Sequence, residues 1–324
     1  MKNFQYAAAG DARQAISLLS NEWEHARVMS GGTDLLDELK ERLIEPDRIV
    51  HLQPGAFSYI KSTRQNILIG ATTTLATIEA HLVIRTRLPG LAQAAASIAT
   101  PQIRNAGTIG GNLCQRPRCW YYRNAEFPCL KKGGSTCYAK EGANKYNAIL
   151  GGGPSYIVHP SDTAPMLVAL NASVRIAGPK GQRVVPLEKF FVLPKQNVVR
   201  ENILEPNEIV TEVIVPLPAS GSRSVYLKFK ERETQDFALA SAAVALTTRA
   251  GVVQNARIAM GGVAPIPWRS PEAEAVIKGK KMNSAAAQAA ATAALQQAKP
   301  LNDNAYKVPL AQAVLRRALL AASA

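Results

Sequence analysis

Cys114, Cys119, Cys129 and Cys137 follow one another in the spacing C-x4-C-x9-C-x7-C, and the 324-residue chain has no other cysteine. Four thiolates can give one ligand to each iron of a cubane cluster, so the clustering predicts a 4Fe-4S centre. Zinc is the main alternative, because it also closes a tetrahedral site with four thiolates. Structural zinc usually shows two C-x2-4-C knuckles, however, and here only Cys114-x4-Cys119 falls within that spacing while Cys129-x7-Cys137 does not. Two disulfides would need an oxidising compartment, and a chain of this length can bury a core without staples. Free thiols used as small apolar residues would scatter instead of gathering in a polar, glycine-containing stretch.

The neighbours of the thiols suit a redox centre. Arg116, Arg118, Arg123, Lys131 and Lys132 are expected to offset the charge of four thiolates and favour their deprotonated form. Trp120, Tyr121, Tyr122, Phe127 and Tyr138 either shield a cluster from water or simply pack a loop that is poor in aliphatic residues.

Two glycine loops offer a second chemistry. Ser30-Gly31-Gly32-Thr33-Asp34-Leu35 stands between a predicted strand and a predicted helix. Without Cβ atoms, Gly31 and Gly32 can turn the chain so that several backbone N–H groups face one phosphate beside a helix N-terminus. The pattern matches neither G-x-G-x-x-G nor the P-loop, and a glycine pair before a helix is often only a turn. Thr108-Ile109-Gly110-Gly111-Asn112 repeats the same chemistry later in the chain, and two such loops could grip opposite ends of one dinucleotide. Gly151-Gly152-Gly153 reads as a return from the cysteine segment.

His159, Ser161 and Asp162 fall at a strand-to-helix junction, where Ser161 or Asp162 could cap the helix and Asp162 could also bond a cofactor hydroxyl or ring. The other histidines, His25, His51 and His81, share no metal-ligand spacing, and no nucleophile–base triad is readable.

The elements that must position these residues alternate. Helical periodicity covers Ala12 to Leu19, Leu35 to Leu43, Leu75 to His81 and Leu91 to Ile98, and Pro101 is expected to close the last of these. Strands are predicted at Ala26 to Met29, Ile49 to Leu52, Tyr59 to Ser62 and Ile67 to Ala71, then around Val174 and Val184 and over Ile209 to Val215. A linker is expected at Pro216 to Ser222. Beyond it, an antiparallel sheet (Val225 to Phe229, Ala238 to Thr248, Val252 to Met260) and three helices suggest a separate α+β domain.

Composition narrows the class. The formal charge of +14 is dispersed and accompanies no nucleic-acid-binding motif, so it fits an acidic partner subunit or a phosphorylated cofactor better than nucleic acid. No run of about 18 apolar residues appears, which argues against a membrane span. The N-terminus shows no hydrophobic signal core or twin arginine, so a cytoplasmic location is expected.

Four segments carry a resemblance over nearly the whole chain. They are Ser30 to Leu36, Pro101 to Asn112, Pro160-Ser161-Asp162-Thr163-Ala164-Pro165, and Gly261 to Pro265 with Trp268-Arg269. Together they resemble the flavin-binding medium subunit of the molybdenum hydroxylases, the group of xanthine dehydrogenase, aldehyde oxidoreductase and carbon monoxide dehydrogenase. The resemblance implies an α+β chain with a vanillyl-alcohol oxidase-like FAD-binding domain of two α/β subdomains over residues 1–218. A smaller α+β C-terminal domain would follow over 222–324. It implies FAD contacts at Ser30, Gly31, Gly32, Thr33, Asp34 and Leu35, at Thr108, Gly110, Gly111 and Asn112, and at Asp162 and Lys228. The cysteine segment, about 113–150, looks like that of the subgroup with an added 4Fe-4S cluster, which contains 4-hydroxybenzoyl-CoA reductase and the periplasmic aldehyde oxidoreductase. A molybdopterin-containing large subunit, a 2Fe-2S small subunit and an external electron acceptor are the implied partners. The same subgroup allows periplasmic location by co-export with a signal-bearing partner. A zinc-stabilised binding module without redox activity is the contrasting reading.

Overall fold

A computed structural model describes residues 1–323, so the last residue of the expected C-terminal domain, Ala324, lies outside the described residues. The chain begins with a small parallel sheet of β1 (Gln5–Ala9), β2 (Ala26–Met29) and β3 (Arg48–Leu52), in the order β1-β3-β2. An antiparallel sheet follows, made of β4 (Ile60–Ser62), β5 (Asn66–Gly70), β6 (Ser173–Gly178), β7 (Gly181–Pro186) and β8 (Ile209–Pro216), in the order β4-β5-β8-β6-β7. The second sheet is thus built from both sides of the cysteine segment.

After Pro216 the chain enters a third sheet, β9 (Ser222–Phe229), β10 (Ala240–Arg249), β11 (Val252–Gly261) and β12 (Trp268–Arg269), antiparallel in the order β12-β11-β10-β9. Side chains alternate across a strand. On β10, Ala240, Ala242, Val244 and Leu246 join the core under the helix Lys307–Ser323, while Ala243 faces the core of the preceding domain with Tyr226 and Ala259. A strand covered on both faces must be apolar throughout, and alanine keeps both layers close.

Two sequence expectations change here. Pro101 does not close a helix: it opens the helix Pro101–Ala106, capped by Thr100, whose hydroxyl accepts from Ile103 N. Proline suits the first helical position because its missing N–H has no intrahelical role there. The second glycine stretch is likewise no open loop. Thr108 caps the helix Ile109–Cys114, so Gly110 and Gly111 form its first turn.

The cysteine segment has little regular structure, with two short 3-10 turns at Leu130–Lys132 and Tyr138–Lys140. Polar bonds fasten it at both ends. Arg116 near its start and Lys131 near its middle pair with buried Glu201 at 2.8 and 2.7 Å. Near its end Lys307 Nζ donates to the carbonyls of Tyr146 (2.8 Å), Asn147 (3.2 Å) and Gly262 (2.8 Å).

Candidate functional site

One cavity receives both glycine elements. Ser30 to Leu35 line it from the end of β2, and Thr108, Gly110, Gly111 and Asn112 line it from the capped helix. The close approach requires glycine. A Cβ on Gly31 would stand 1.9 Å from the Ala106 carbonyl oxygen, and one on Gly110 would stand 2.9 Å from that of Ala71. Gly32 holds φ at +71°, in the left-handed region that glycine enters without a steric penalty.

Asn112 is fixed from the far side. Its Oδ1 accepts from Ser161 Oγ at 2.6 Å and Thr163 Oγ1 at 2.5 Å, and Ser161 Oγ in turn accepts from Ala164 N. Ser161 Oγ therefore satisfies an N–H in the first turn of the helix Thr163–Ala169, whose cap position is Asp162. Asp162 and Lys228 meet in the cavity wall, with Lys228 Nζ 2.7 Å from Asp162 Oδ2. Tyr226, buried one side-chain repeat before Lys228 on β9, donates to Asp162 Oδ1 at 2.6 Å. Burial beside that carboxylate raises the Tyr226 pKa, so the phenol stays protonated.

Asp34 also lines the cavity, but its carboxylate faces the cysteine segment. It accepts from Arg116 N at 2.7 Å and pairs with Arg118 at 2.8 Å and Arg123 at 2.6 Å. These bonds, with Glu201, correct the expected role of the basic residues. Four of the five cations serve three carboxylates, Asp34, Asp37 and Glu201, instead of the thiols. Lys132 is the exception, close enough to Cys129 and Cys119 to interact with both.

The thiols themselves do not form the predicted single donor set. Cys114 ends the glycine helix and lines the same cavity as Gly110 and Gly111. Burial pushes its pKa up to about 12, and burial also raises that of Cys119. Both effects oppose the thiolate form expected from the nearby positive charge. Cys119 instead neighbours Cys137, and Asn147 Nδ2 lies 3.8 Å from its Sγ. Among the described residues no three His, Cys, Asp or Glu side chains are arranged to hold a metal ion. The four cysteines thus do not come together as one metal-holding group among the described residues. Sequence spacing missed the division because Cys114 belongs to a helix whose direction is set by the glycine packing. Of the aromatics, Tyr121, Phe127 and Tyr138 pack on one another, with ring centroids 5.1 to 5.8 Å apart.

Three contributors were not legible. Arg27 and Arg200 line the cavity, lie against the Trp23 ring at 4.9 and 3.4 Å, and have no carboxylate partner among the described residues. The buried Nε of each lacks a hydrogen-bond partner. Burial lowers both pKa values, that of Arg200 to about 10, yet both guanidiniums remain charged at neutral pH. Unpaired buried donors beside a glycine cradle fit an anionic diphosphate. Arg27 lies in β2, the strand that leads into the first loop, but its place beside Trp23 and Arg200 arises only through the fold.

Comparison with known proteins bears on this geometry. The family described as FAD binding domain in molybdopterin dehydrogenase matches residues 2–218, and the CO dehydrogenase flavoprotein C-terminal domain matches residues 225–322. The chain is 32% identical over 328 residues to the aldehyde oxidoreductase FAD-binding subunit of Escherichia coli (strain K12), covering 100% of this chain and 99% of that one. It is 30% identical over 325 residues to the carbon monoxide dehydrogenase medium chain of Hydrogenophaga pseudoflava, covering 98% and 96%. A solved carbon monoxide dehydrogenase structure from Hydrogenophaga pseudoflava superposes with a TM-score of 0.79 at 30% identity, covering 99% of this chain and 97% of that one. Two glycine elements sharing one cavity, and family matches over both parts of the chain, lead to one conclusion: this oxidoreductase chain belongs to the FAD-binding medium subunits of the molybdenum hydroxylase family.

Proposed function

We propose that this chain is the electron-transfer subunit of a heterotrimeric molybdenum hydroxylase, working with a molybdopterin-containing large subunit and a 2Fe-2S small subunit. It would pass electrons between them and an external acceptor. The observation that carries the reading is the shared cavity, where both glycine elements face the unpaired Arg27 and Arg200. FAD bound there supplies the capacity to exchange electrons in pairs or singly.

The residues hold and orient. Backbone N–H groups of Ser30 to Leu35 and the Arg27 and Arg200 guanidiniums would hold the diphosphate, Thr108 to Asn112 would hold the opposite portion, and Asp162 with Lys228 would supply a fixed polar pair. Residues 1–218 form the flavin domain and 222–324 the C-terminal domain in this reading. The relatives' names support the assembly, being medium chains or FAD-binding subunits of aldehyde and carbon monoxide dehydrogenases. Purification of the chain alone and with its two partners tests the proposal. A yellow protein with flavin absorption is expected, and a colourless chain in both preparations would end it.

A 4Fe-4S centre in segment 113–150 is the finer expectation. The clustering of the cysteines in sequence supports it, and the placement of Cys114 opposes a ligand set of all four. Iron and acid-labile sulfide analysis decides: a four-cysteine cluster requires Cys114→Ala to lose iron as completely as Cys119→Ala does.

A further inference from the structure

The cysteine segment grips the wall of the flavin cavity at two places, and both belong to the proposed diphosphate site. The first is Asp34 in the first glycine loop. It holds the cap position of the helix Leu35–Lys40, yet its side chain makes no capping bond to that helix. The carboxylate turns to the segment instead, accepting from Arg116 N at Oδ2 and pairing with Arg118 and Arg123 at Oδ1. The helix itself is bound in the same way, with Arg118 3.3 Å from Asp37 Oδ2 and the Tyr122 hydroxyl donating to buried Glu38.

The second place is the stretch Val198 to Glu201, which brings the Arg200 guanidinium against the Trp23 ring in the cavity wall. Lys131 Nζ donates to the Val198 and Arg200 carbonyls at 2.9 and 3.2 Å, and Arg116 donates to the Val199 carbonyl at 2.8 Å. Both cations also pair with Glu201, and the side chains of Lys131 and Glu201 are only 2% exposed. Arg116 joins the two places, because its backbone N–H holds Asp34 while its guanidinium holds the Arg200 stretch. Arg123 and Lys131 do not line the flavin cavity, so any effect they have on a ligand there passes through Asp34 or through the stretch that carries Arg200.

We propose that Arg123 and Lys131 are positioning residues for the flavin, and that the cysteine segment is the brace that sets the first glycine loop and Arg200 in place for the diphosphate. The inference rests on the proposed function and gives the segment a role independent of what its thiols bind. Two physical effects carry it. A loop and an arginine ordered before the ligand arrives lose little freedom on binding it. The Asp34 carboxylate, which lines the cavity, would repel a diphosphate, and the two guanidiniums held against it offset that charge.

The test is calorimetric titration with FAD of the full chain freed of flavin, after circular dichroism has shown each variant to be folded. Arg123→Met and Lys131→Met are each expected to raise the FAD Kd about tenfold, as the loss of one charge-assisted contact would. Arg123→Lys, which keeps the charge, should recover most of that affinity. So should Arg123→Met combined with Asp34→Asn, whose neutral amide no longer opposes the diphosphate while its oxygen can still accept from Arg116 N. A scaffold role alone would make this double variant the weakest of the set. The Arg123 side chain is 15% exposed, so its variants decide the matter where Lys131→Met does not fold. FAD binding that Arg123→Met leaves unchanged, or that is weaker still in the double variant, overturns this inference alone. A parent chain that binds no FAD overturns the function reading and this inference with it.

Discussion

Tyr226 Oη and Lys228 Nζ approach the two oxygens of Asp162 at 2.6 and 2.7 Å from one face of one strand. Residues two apart on a strand share a face, so β9 presents a donor to each carboxylate oxygen. Lys228 also reaches the Ser97 carbonyl at 3.1 Å, which ties the C-terminal sheet to the flavin domain.

Removing either donor is therefore costly, but unequally. Lys228→Met leaves a buried carboxylate without its counter-charge, a loss of about 3–5 kcal/mol. Tyr226→Phe removes one hydrogen bond to a charged acceptor, about 1.5–3 kcal/mol. Thermal unfolding should show both variants destabilised with the lysine variant lower, and flavin retention should fall in the same order. Equal melting temperatures for the variants and the parent chain would contradict the pairing.

Gly31→Ala forces a Cβ into the Ala106 carbonyl, and a backbone atom cannot swing aside as a flexible side chain could. The first loop must then withdraw from the helix Pro101–Ala106, opening the cradle. We expect flavin retention to be lost while circular dichroism stays close to the parent. Gly55→Ala is the control, since its Cβ would meet nothing within 4 Å. Retention of flavin by Gly31→Ala would show that the cradle tolerates displacement.

Local chemistry made much of this fold legible. The expected linker lies where β8 ends at Pro216 and β9 begins at Ser222, and β2 spans the expected Ala26–Met29 residue for residue, because proline, glycine and periodicity act over short distances. The two glycine stretches were recognised as chemically alike for the same reason. What escaped depends on distant partners. Glu201 draws Arg116 and Lys131 away from the thiols, and Tyr226 reaches Asp162 only because β9 crosses the cavity. The cysteine spacing also could not show that Cys114 ends a helix fixed by Gly110 against Ala71, outside the irregular segment that carries the other three.

His159 gives the protein an acid sensitivity. Burial lowers its pKa to about 4, below the ordinary 6.5, so between those values the unfolded chain binds the proton more readily. Stability contributed by the neutral ring is present above pH 6.5 and is lost as pH falls toward 4, by on the order of 3 kcal/mol in total. Denaturant midpoints measured across this window should drop more steeply in the parent than in His159→Phe, whose ring keeps the apolar contact with Phe191. Parallel profiles would show that another group sets the acid limit.

Lys307 acts at the opposite end of the pH range. Its ammonium is buried with three carbonyls and, among the described residues, no carboxylate bonded to it, and desolvation lowers its pKa from 10.5 to about 7. Because the folded value lies below the unfolded one, the unfolded chain binds more protons between pH 7 and 10.5. Stability from this group therefore rises with pH across that interval, as the burial of a charge is relieved. A neutral amine still offers two N–H donors to the carbonyls of Tyr146 and Gly262, so the anchor of the cysteine segment survives deprotonation. Lys307→Met should remove the pH-dependent part and orphan those carbonyls. The parent-minus-variant difference in melting temperature should then grow from pH 7 to pH 9, and a constant difference would mean that Lys307 stays charged throughout.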